Sequence, residues 1–295
     1  MGRALAEKFP SARRVFDTAS KVLGKDLAKL CFDGPEADLM DTRNTQPAVM
    51  AVGLAAWEVA KEQGLGAEGA LGHSLGEVTA WVAAGVVDME TGFRIVKARA
   101  QAMVEAAQGR QGTMAAVMGL AASKVEEVLK AYPPELVLGA NWNSDDQVVI
   151  AGTPEGIEKA GADLKKAGAK RVLPLKVSGA FHSPGLKPAS EKLALFLDGL
   201  SSQGLVKKAE FPIYANVDGK PRVEPADLAE ALARQVSSPV RFSDAVRAAA
   251  MAQTRWVELG GKILAGLVAK ILPGSSTISL VDPAGLDALR EGAAA

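Results

Sequence analysis

The sequence predicts an α/β fold, and three stretches carry the prediction. Residues 69–84 run from a short apolar segment through a glycine-flanked serine into an alanine-rich segment, the pattern of strand, sharp turn and helix. Residues 113–175 alternate strand-like and helix-like apolar periods in the order βαββαβ, the split-βαβ arrangement of a compact sandwich. After Gly185 helix and strand alternate again, so the sandwich lies between two stretches of mixed character.

The elements follow in order. Met1–Leu23 and Gln46–Gln63 carry apolar residues at three- and four-residue spacing, which predicts helices. Gly69–Gly72 reads as a strand, and Glu77–Ala84 as the helix after the turn. Asp88 is placed to cap a helix reaching about Ala106. Thr113–Leu120 is a strand, and Ser123-x-x-Glu126 reads as a capping box opening a helix to Ala131. Leu136–Asn141 and Gln147–Ile150 pair around a turn at 144–146, Thr153-Pro154 starts a helix ending near Gly168, and Lys170–Leu175 is the last strand of the sandwich. Helices at 188–200, 225–235, 243–252 and from Lys262, with strands at 211–216 and 256–259, complete the chain. The 292–295 tail reads as frayed.

Composition excludes several classes. The 295 residues suffice for one large domain or two smaller ones. The 34 basic and 34 acidic residues cancel, so no overall field favours nucleic acid or an anionic membrane. Cys31 is the single cysteine, which removes internal disulfides and cysteine-rich metal sites and fits a reducing compartment. No apolar run reaches the roughly 18 residues of a membrane span, and the start lacks a signal peptide's apolar core. The expectation is a cytoplasmic protein with no metal.

Gly72-His73-Ser74-Leu75-Gly76 spells G-x-S-x-G. A serine in a tight strand-to-helix turn points its hydroxyl out of the fold, and small flanking residues let the backbone bend, a role assigned to Gly72 and Gly76. The following helix start offers free N–H groups, so the Leu75 amide is a natural donor to an oxyanion. The plain alternative is a serine that merely caps a helix. A nucleophile needs a base, and the chain has two histidines. His73 adjoins the serine and reads as a packed elbow residue; His182, in a loop of small residues after a strand, is the better base, with a surface loop histidine as the alternative. No acidic orienter for it is visible between 74 and 182, so a carbonyl is the candidate. Arg99 follows Ile95 and Val96 and precedes Met103 along the side of its helix expected to be buried, where its fork suits a ligand carboxylate or a structural acid.

GHSLGE at 72–77, Arg99, NWNSDDQVVIAG at 141–152, GAFHS at 179–183 and RQVSSPVRF at 234–242 together resemble the malonyl-CoA:acyl carrier protein transacylases of type II fatty acid synthesis, in order along nearly the whole chain. The resemblance implies an α/β-hydrolase-like large subdomain with a parallel sheet, residues 1–108 and 180–295, and an inserted ferredoxin-like small subdomain, residues 109–179. It implies Ser74 as the malonylated nucleophile, His182 as base, Arg99 as clamp for the malonate carboxylate, and Gln235 orienting His182 through its main-chain carbonyl. Gln46 and Asn143 match positions around the cleft, and Phe181 matches the A-F-H form of malonyl-selective members, where a ring would crowd an α-methyl group. The substrates implied are malonyl-CoA and acyl carrier protein, whose own phosphopantetheine supplies the thiol, so no resident cofactor is expected. Lys170, Arg171, Lys176 and Lys187 could form a docking rim for an acidic carrier, or be solvated surface.

Two departures stand beside the resemblance. Family members begin with a strand leading into G-Q-G-S, whose glutamine supplies a second oxyanion donor; this sequence starts at what resembles the tail of that motif, Met1-Gly2-Arg3. Lack of such a donor costs roughly 10²- to 10³-fold in turnover. A catalytically impaired carrier-binding homologue is therefore one alternative, and a serine esterase or thioesterase the other. Glu258-Leu259-Gly260-Gly261-Lys262 also stands where members carry E-x-G-P-G-K, so the turn there is expected to differ.

Overall fold

The structure is a computed structural model that describes residues 1–177, 179–251 and 254–291. Ser178 of the quoted loop, the Ala252 end expected for the helix begun at Ser243, and the 292–295 tail lie outside the described residues.

The first third is helical: α1 (Arg3–Lys8), α2 (Pro10–Leu23), α3 (Leu27–Asp33), α4 (Glu36–Leu39) and α5 (Thr42–Glu62). The helical stretch expected through Leu23 is broken at Phe9, which is extended at φ −123° and ψ 118°. Pro10 disfavours helical backbone at its predecessor and then serves as the first residue of α2. α5 is buried around most of its circumference, with Met50, Leu54 and Ala55 fully enclosed. Inside it, Pro47 has no N–H to give the Arg43 carbonyl one turn back, and the Lys25 ammonium donates to that oxygen at 3.4 Å. Next come β1 (Ala70–Leu71), α6 (Gly76–Ala83) and α7 (Met89–Ala107). Asp88 caps α7 as expected, its carboxylate accepting from Thr91 N.

The sandwich consists of β2 (Thr113–Met118), α8 (Ala122–Leu129), β3 (Val137–Ser144), β4 (Gln147–Gly152), α9 (Pro154–Lys166) and β5 (Arg171–Pro174). Its four strands lie in the order β3-β4-β2-β5 with every pair antiparallel. Period-two alternation splits the sheet's residues between two cores. Ala115, Val117, Val148 and Ile150 pack with α8 and α9, whereas Met114, Ala116, Val149 and Ala151 pack toward Ala180 and Phe181. The expected capping box does not form: α8 starts at Ala122, Ala121 holds the cap position, and Ser123 lies inside the first turn. Backbone bonds fix that start instead, from Gly119 N to Asp146 O and from Ala122 N to Asp145 O, both 2.8 Å.

The remainder supplies α10 (Lys187–Ser202), β6 (Ile213–Tyr214), β7 (Pro221–Arg222), α11 (Pro225–Gln235), α12 (Phe242–Ala249), β8 (Trp256–Leu259), α13 (Leu264–Ile271), β9 (Thr277–Leu280) and α14 (Pro283–Glu291). β1 runs parallel to β6, β7 closes that sheet antiparallel, and β8 and β9 form a separate parallel pair. Parallel pairing is thus present among the described residues in two small strand pairs and an isolated bridge between Asn141 and Val240. α13 begins at Leu264, two residues beyond the expected Lys262, and ends at Ile271, with β9 and α14 following it. Glu258 determines that start, its carboxylate accepting from the amides of Ile263, Leu264 and Ala265. In the turn after β8 Gly260 adopts φ 75° against α5, where a Cβ would lie 2.8 Å from Gly53 N.

Candidate active site

The turn between β1 and α6 brings chemistry to the surface of the fold. Ser74 has φ 51° and His182 has φ 57°, the only non-glycine residues of the described chain with positive φ. Such backbone costs of order 1–3 kcal/mol and persists where neighbours hold it. At Ser74 the holding group is Asn216, in the turn after β6. Its Oδ1 accepts from Ser74 N at 2.7 Å and its Nδ2 donates to Gly72 O at 2.6 Å. Gly72 is required by close approach, since a Cβ there would stand 2.0 Å from the carbonyl carbon of Gly76. Gly76 itself would meet nothing within 4 Å, so of the two glycines assigned room-making only Gly72 has that role. The Leu75 amide, at the start of α6, donates to no described residue.

The serine hydroxyl meets two side chains. Ser74 Oγ lies 2.8 Å from His182 Nε2, and Arg99 Nη2 donates to the same oxygen at 2.9 Å. His182 Nδ1 lies 2.9 Å from the Gln235 carbonyl oxygen. A carbonyl only accepts, so Nδ1 carries the proton and Nε2 presents a lone pair to the serine O–H. Burial, and then the positive Arg99, push the His182 pKa down to about 3, which keeps the imidazole neutral at physiological pH. Ser183 steadies this loop, its hydroxyl donating to Ala180 O at 2.6 Å.

Arg99 projects inward from α7 and is 1% exposed. Burial lowers its pKa to about 10, still far above neutrality. Nη1 donates to Gln46 Oε1 at 2.6 Å, and Nη2 donates to Gln235 Oε1 at 2.7 Å as well as to Ser74. Nε is buried and has no partner. The guanidinium is therefore held by neutral acceptors, with no carboxylate in its fork. Gln46 enters the site through this bond. Phe181 is half-buried beside His182, against the sheet face of Met114 and Ala116.

Asn143 reaches the site through His73. Its Oδ1 accepts from His73 Nε2 at 2.8 Å, which ties β3 to the elbow and turns His73 away from the Ser74 hydroxyl. Burial also lowers the His73 pKa. Lys170, Arg171, Lys176 and Lys187 are all exposed, and Lys187 lies 3.9 Å from Glu191.

Two further residues were not assigned from the sequence. Asn216 sits in a turn whose side chain gives no pattern to read. Glu77 is fully buried on α6, its Oε2 accepting from Asn216 N and from Gln235 Nε2, both at 2.9 Å. An acid in the first turn of a helix is ordinarily read as solvated charge at a dipole; its place directly after Gly76, on the face under the serine, was the available signal.

An α/β fold whose elbow serine faces an imidazole and a free helix-start amide defines the class of serine-dependent acyl-group enzymes. The chain belongs to the acyl transferase domain family, whose sequence profile matches residues 1–259. It is 40% identical over 287 residues to a malonyl CoA-acyl carrier protein transacylase of Bacillus subtilis, covering 96% of this chain and 89% of that one. It is 37% identical over 291 residues to the protein of the same name from Escherichia coli K12, covering 97% and 93%. Among solved structures, an acyl carrier protein S-malonyltransferase from Vibrio cholerae superposes with a TM-score of 0.92 at 38% identity, covering 98% of this chain and 94% of that one. A malonyl-transacylase in complex with a type II PKS acyl-carrier protein gives 0.93 at 38%, covering 99% and 94%. Among the described residues no helix is long and apolar enough to cross a membrane.

Proposed function

We propose that this protein transfers a malonyl group from malonyl-CoA to the phosphopantetheine thiol of an acyl carrier protein through a serine acyl-enzyme. The observation that carries the reading is the double engagement of one hydroxyl: His182 Nε2 at 2.8 Å and Arg99 Nη2 at 2.9 Å from Ser74 Oγ. A base activates the nucleophile while a buried cation beside it waits for an anionic acyl group.

Ser74 Oγ attacks the thioester carbonyl as its proton passes to His182 Nε2, and the imidazolium is held by the Gln235 carbonyl. The Leu75 amide donates to the oxyanion. CoA departs as the thiol, taking the proton from Nε2. The carrier thiol then gives its proton to Nε2 and attacks the same carbonyl, and the proton returns to Ser74 Oγ. Arg99 binds the malonyl carboxylate with its unpartnered Nε and with donors released by Gln46 or Ser74, which positions the ester for the incoming thiol. Phe181 limits bulk at the α-carbon. No resident cofactor is used, and the protein acts in the cytoplasm.

The strand order β3-β4-β2-β5 supports a ferredoxin-like unit at 109–179 inserted in an α/β-hydrolase-like body, 1–108 and 180–295. A hydrolase reading gains nothing from the site, where a carbonyl rather than a carboxylate meets His182 Nδ1. Intact-mass measurement after mixing with malonyl-CoA tests the proposal. The wild type should gain one malonyl group that is discharged by holo carrier protein, and Ser74→Ala should gain none. A labelled Ser74→Ala variant, or a wild type that releases free malonate without passing it on, would sink it.

A further inference from the structure

The mechanism above leaves one buried ionisable group unused. Glu77 is 0% exposed, one turn from Ser74, and its surroundings are unusual for a carboxylate. Oε2 accepts two N–H bonds at 2.9 Å, from the Asn216 amide and from Gln235 Nε2. Oε1 has no partner. A proton placed on the carboxyl would need an acceptor, and neither oxygen has one, so the donors around Glu77 are arranged for the ionised form. Burial raises its pKa, while the two N–H donors and the positive Arg99 and Arg222 oppose the rise.

Gln235 lies between Glu77 and Arg99. Its Nε2 donates to Glu77 Oε2, and its Oε1 accepts from Arg99 Nη2 at 2.7 Å. The two bonds run in one direction, from guanidinium through amide to carboxylate, so the amide dipole is aligned between a cation and an anion. An ionised carboxylate accepts only, which forbids the flipped amide that would turn Nε2 toward Arg99. The same Nε2 donates to Ser74 O at 2.8 Å, and Asn216, whose amide Glu77 anchors, caps Ser74 N.

We infer that Glu77 is a positioning residue: its carboxylate orients Gln235, supplies the counter-charge for Arg99 at one amide's remove, and so leaves the guanidinium's donors for the carboxylate of the acyl group. This rests on the acyl-transfer reading above. A carboxylate paired directly with Arg99 would compensate the charge equally well but would occupy the fork that the substrate needs. Compensation through Gln235 avoids that competition.

Glu77→Gln is the direct test, because a glutamine keeps the shape and can still accept from Gln235 Nε2 but carries no counter-charge for Arg99. Acylation of Ser74 should lose on the order of tenfold to a hundredfold in kcat/KM with malonyl-CoA, mainly through KM, and no more than about threefold with acetyl-CoA. In an Arg99→Ala background the same change should have little further effect, since Glu77 acts through Arg99. Equal losses on both thioesters, a loss confined to kcat, or full additivity with Arg99→Ala would overturn the inference and reduce Glu77 to a structural group. If Glu77→Gln does not fold, Gln235→Met carries the same test, because it removes the bridging amide and keeps the main-chain carbonyl under His182. Its expected result is again a malonyl-selective loss, and equal losses would overturn the inference. A wild-type chain that takes no malonyl group on Ser74 would instead remove the acyl-transfer reading itself, so the two failures are distinguishable.

Discussion

His182 governs what the site does as pH changes. Its imidazole must be neutral to accept the serine proton, and burial with Arg99 nearby lowers its pKa to about 3. Acylation of Ser74 should therefore stay level as pH falls through about 6.5, where an ordinary imidazole would be half protonated. A half-loss centred near 6.5 in stopped-flow acylation would contradict this. Stability carries the opposite consequence. The unfolded chain takes up a proton on this histidine near 6.5 that the fold refuses until about 3, so folding free energy falls as pH drops through that window, by a few kcal/mol. His73, also lowered, adds in the same sense, and Glu77, raised, opposes it. His182→Asn should flatten the slope of the urea midpoint against pH between about 6.5 and 4, and an unchanged slope would count against a buried neutral imidazole.

The elbow is an element whose two glycines are not equivalent. At Gly72 a Cβ would be driven into the carbonyl of Gly76, 2.2 Å from its oxygen, so Gly72→Ala has to push α6 off β1. A loss of about 2–4 kcal/mol is expected, together with loss of acylation. Gly76→Ala should change stability by under about 1 kcal/mol, because its Cβ meets no atom within 4 Å and alanine favours helix. Chemical denaturation of both variants decides the point, and equal losses would mean that the motif needs room on both sides. The pattern G-x-S-x-G was legible, but which glycine is pressed against which backbone is a property of the closed turn. Elsewhere the long periodic segments that became α7, α9 and α11 could be read because each buries one face or stripe over several turns, and the one that became α5 by its length and apolar spacing, although it is buried around most of its circumference. The short pieces α3, α4, β7 and β9 could not, since two to seven residues carry too little periodicity against tertiary pairing. The capping box at Ser123 failed for a related reason, because backbone bonds to the 145–146 turn fixed the helix start before a side chain was needed.

Across the whole molecule, the site draws Gln46 from α5, Ser74 from the elbow, Arg99 from α7, His182 from the loop before α10 and Gln235 from α11, with β3 tied in through Asn143 and His73. The pairing of Ser74 with His182 and the need for a carbonyl behind the imidazole were legible because a nucleophile demands a base and the base an orienter, whereas Arg99 and the Gln235 carbonyl were placed beside them by the resemblance. The Asn216 clamp and the Glu77–Gln235 bridge were not legible, since they join neutral or ordinary-looking side chains 142 and 158 positions apart, and the place of Glu77 directly after Gly76 was the one local mark. The sandwich meets this assembly through apolar packing on Ala180 and Phe181, through Asn143 and His73, and through backbone bonds. Trp142 N donates to Val240 O and Val240 N to Ala140 O, each at 2.8 Å, while the exposed pairs Arg247–Asp145 and Lys270–Asp146 are of a kind worth about 0–1 kcal/mol. A ligand that engages residues from so many elements binds only the folded chain, so occupancy should register as global stabilisation. Malonate at about a hundred times its Kd should raise unfolding free energy by roughly 2.7 kcal/mol, with a matching rise in Tm. In Arg99→Ala the rise should vanish over the same concentrations, because the guanidinium is the cation placed at the serine hydroxyl. A rise of the same size in that variant would mean that the diacid binds elsewhere on the molecule, and the convergence at Ser74 would then lose its claim to be the malonyl site.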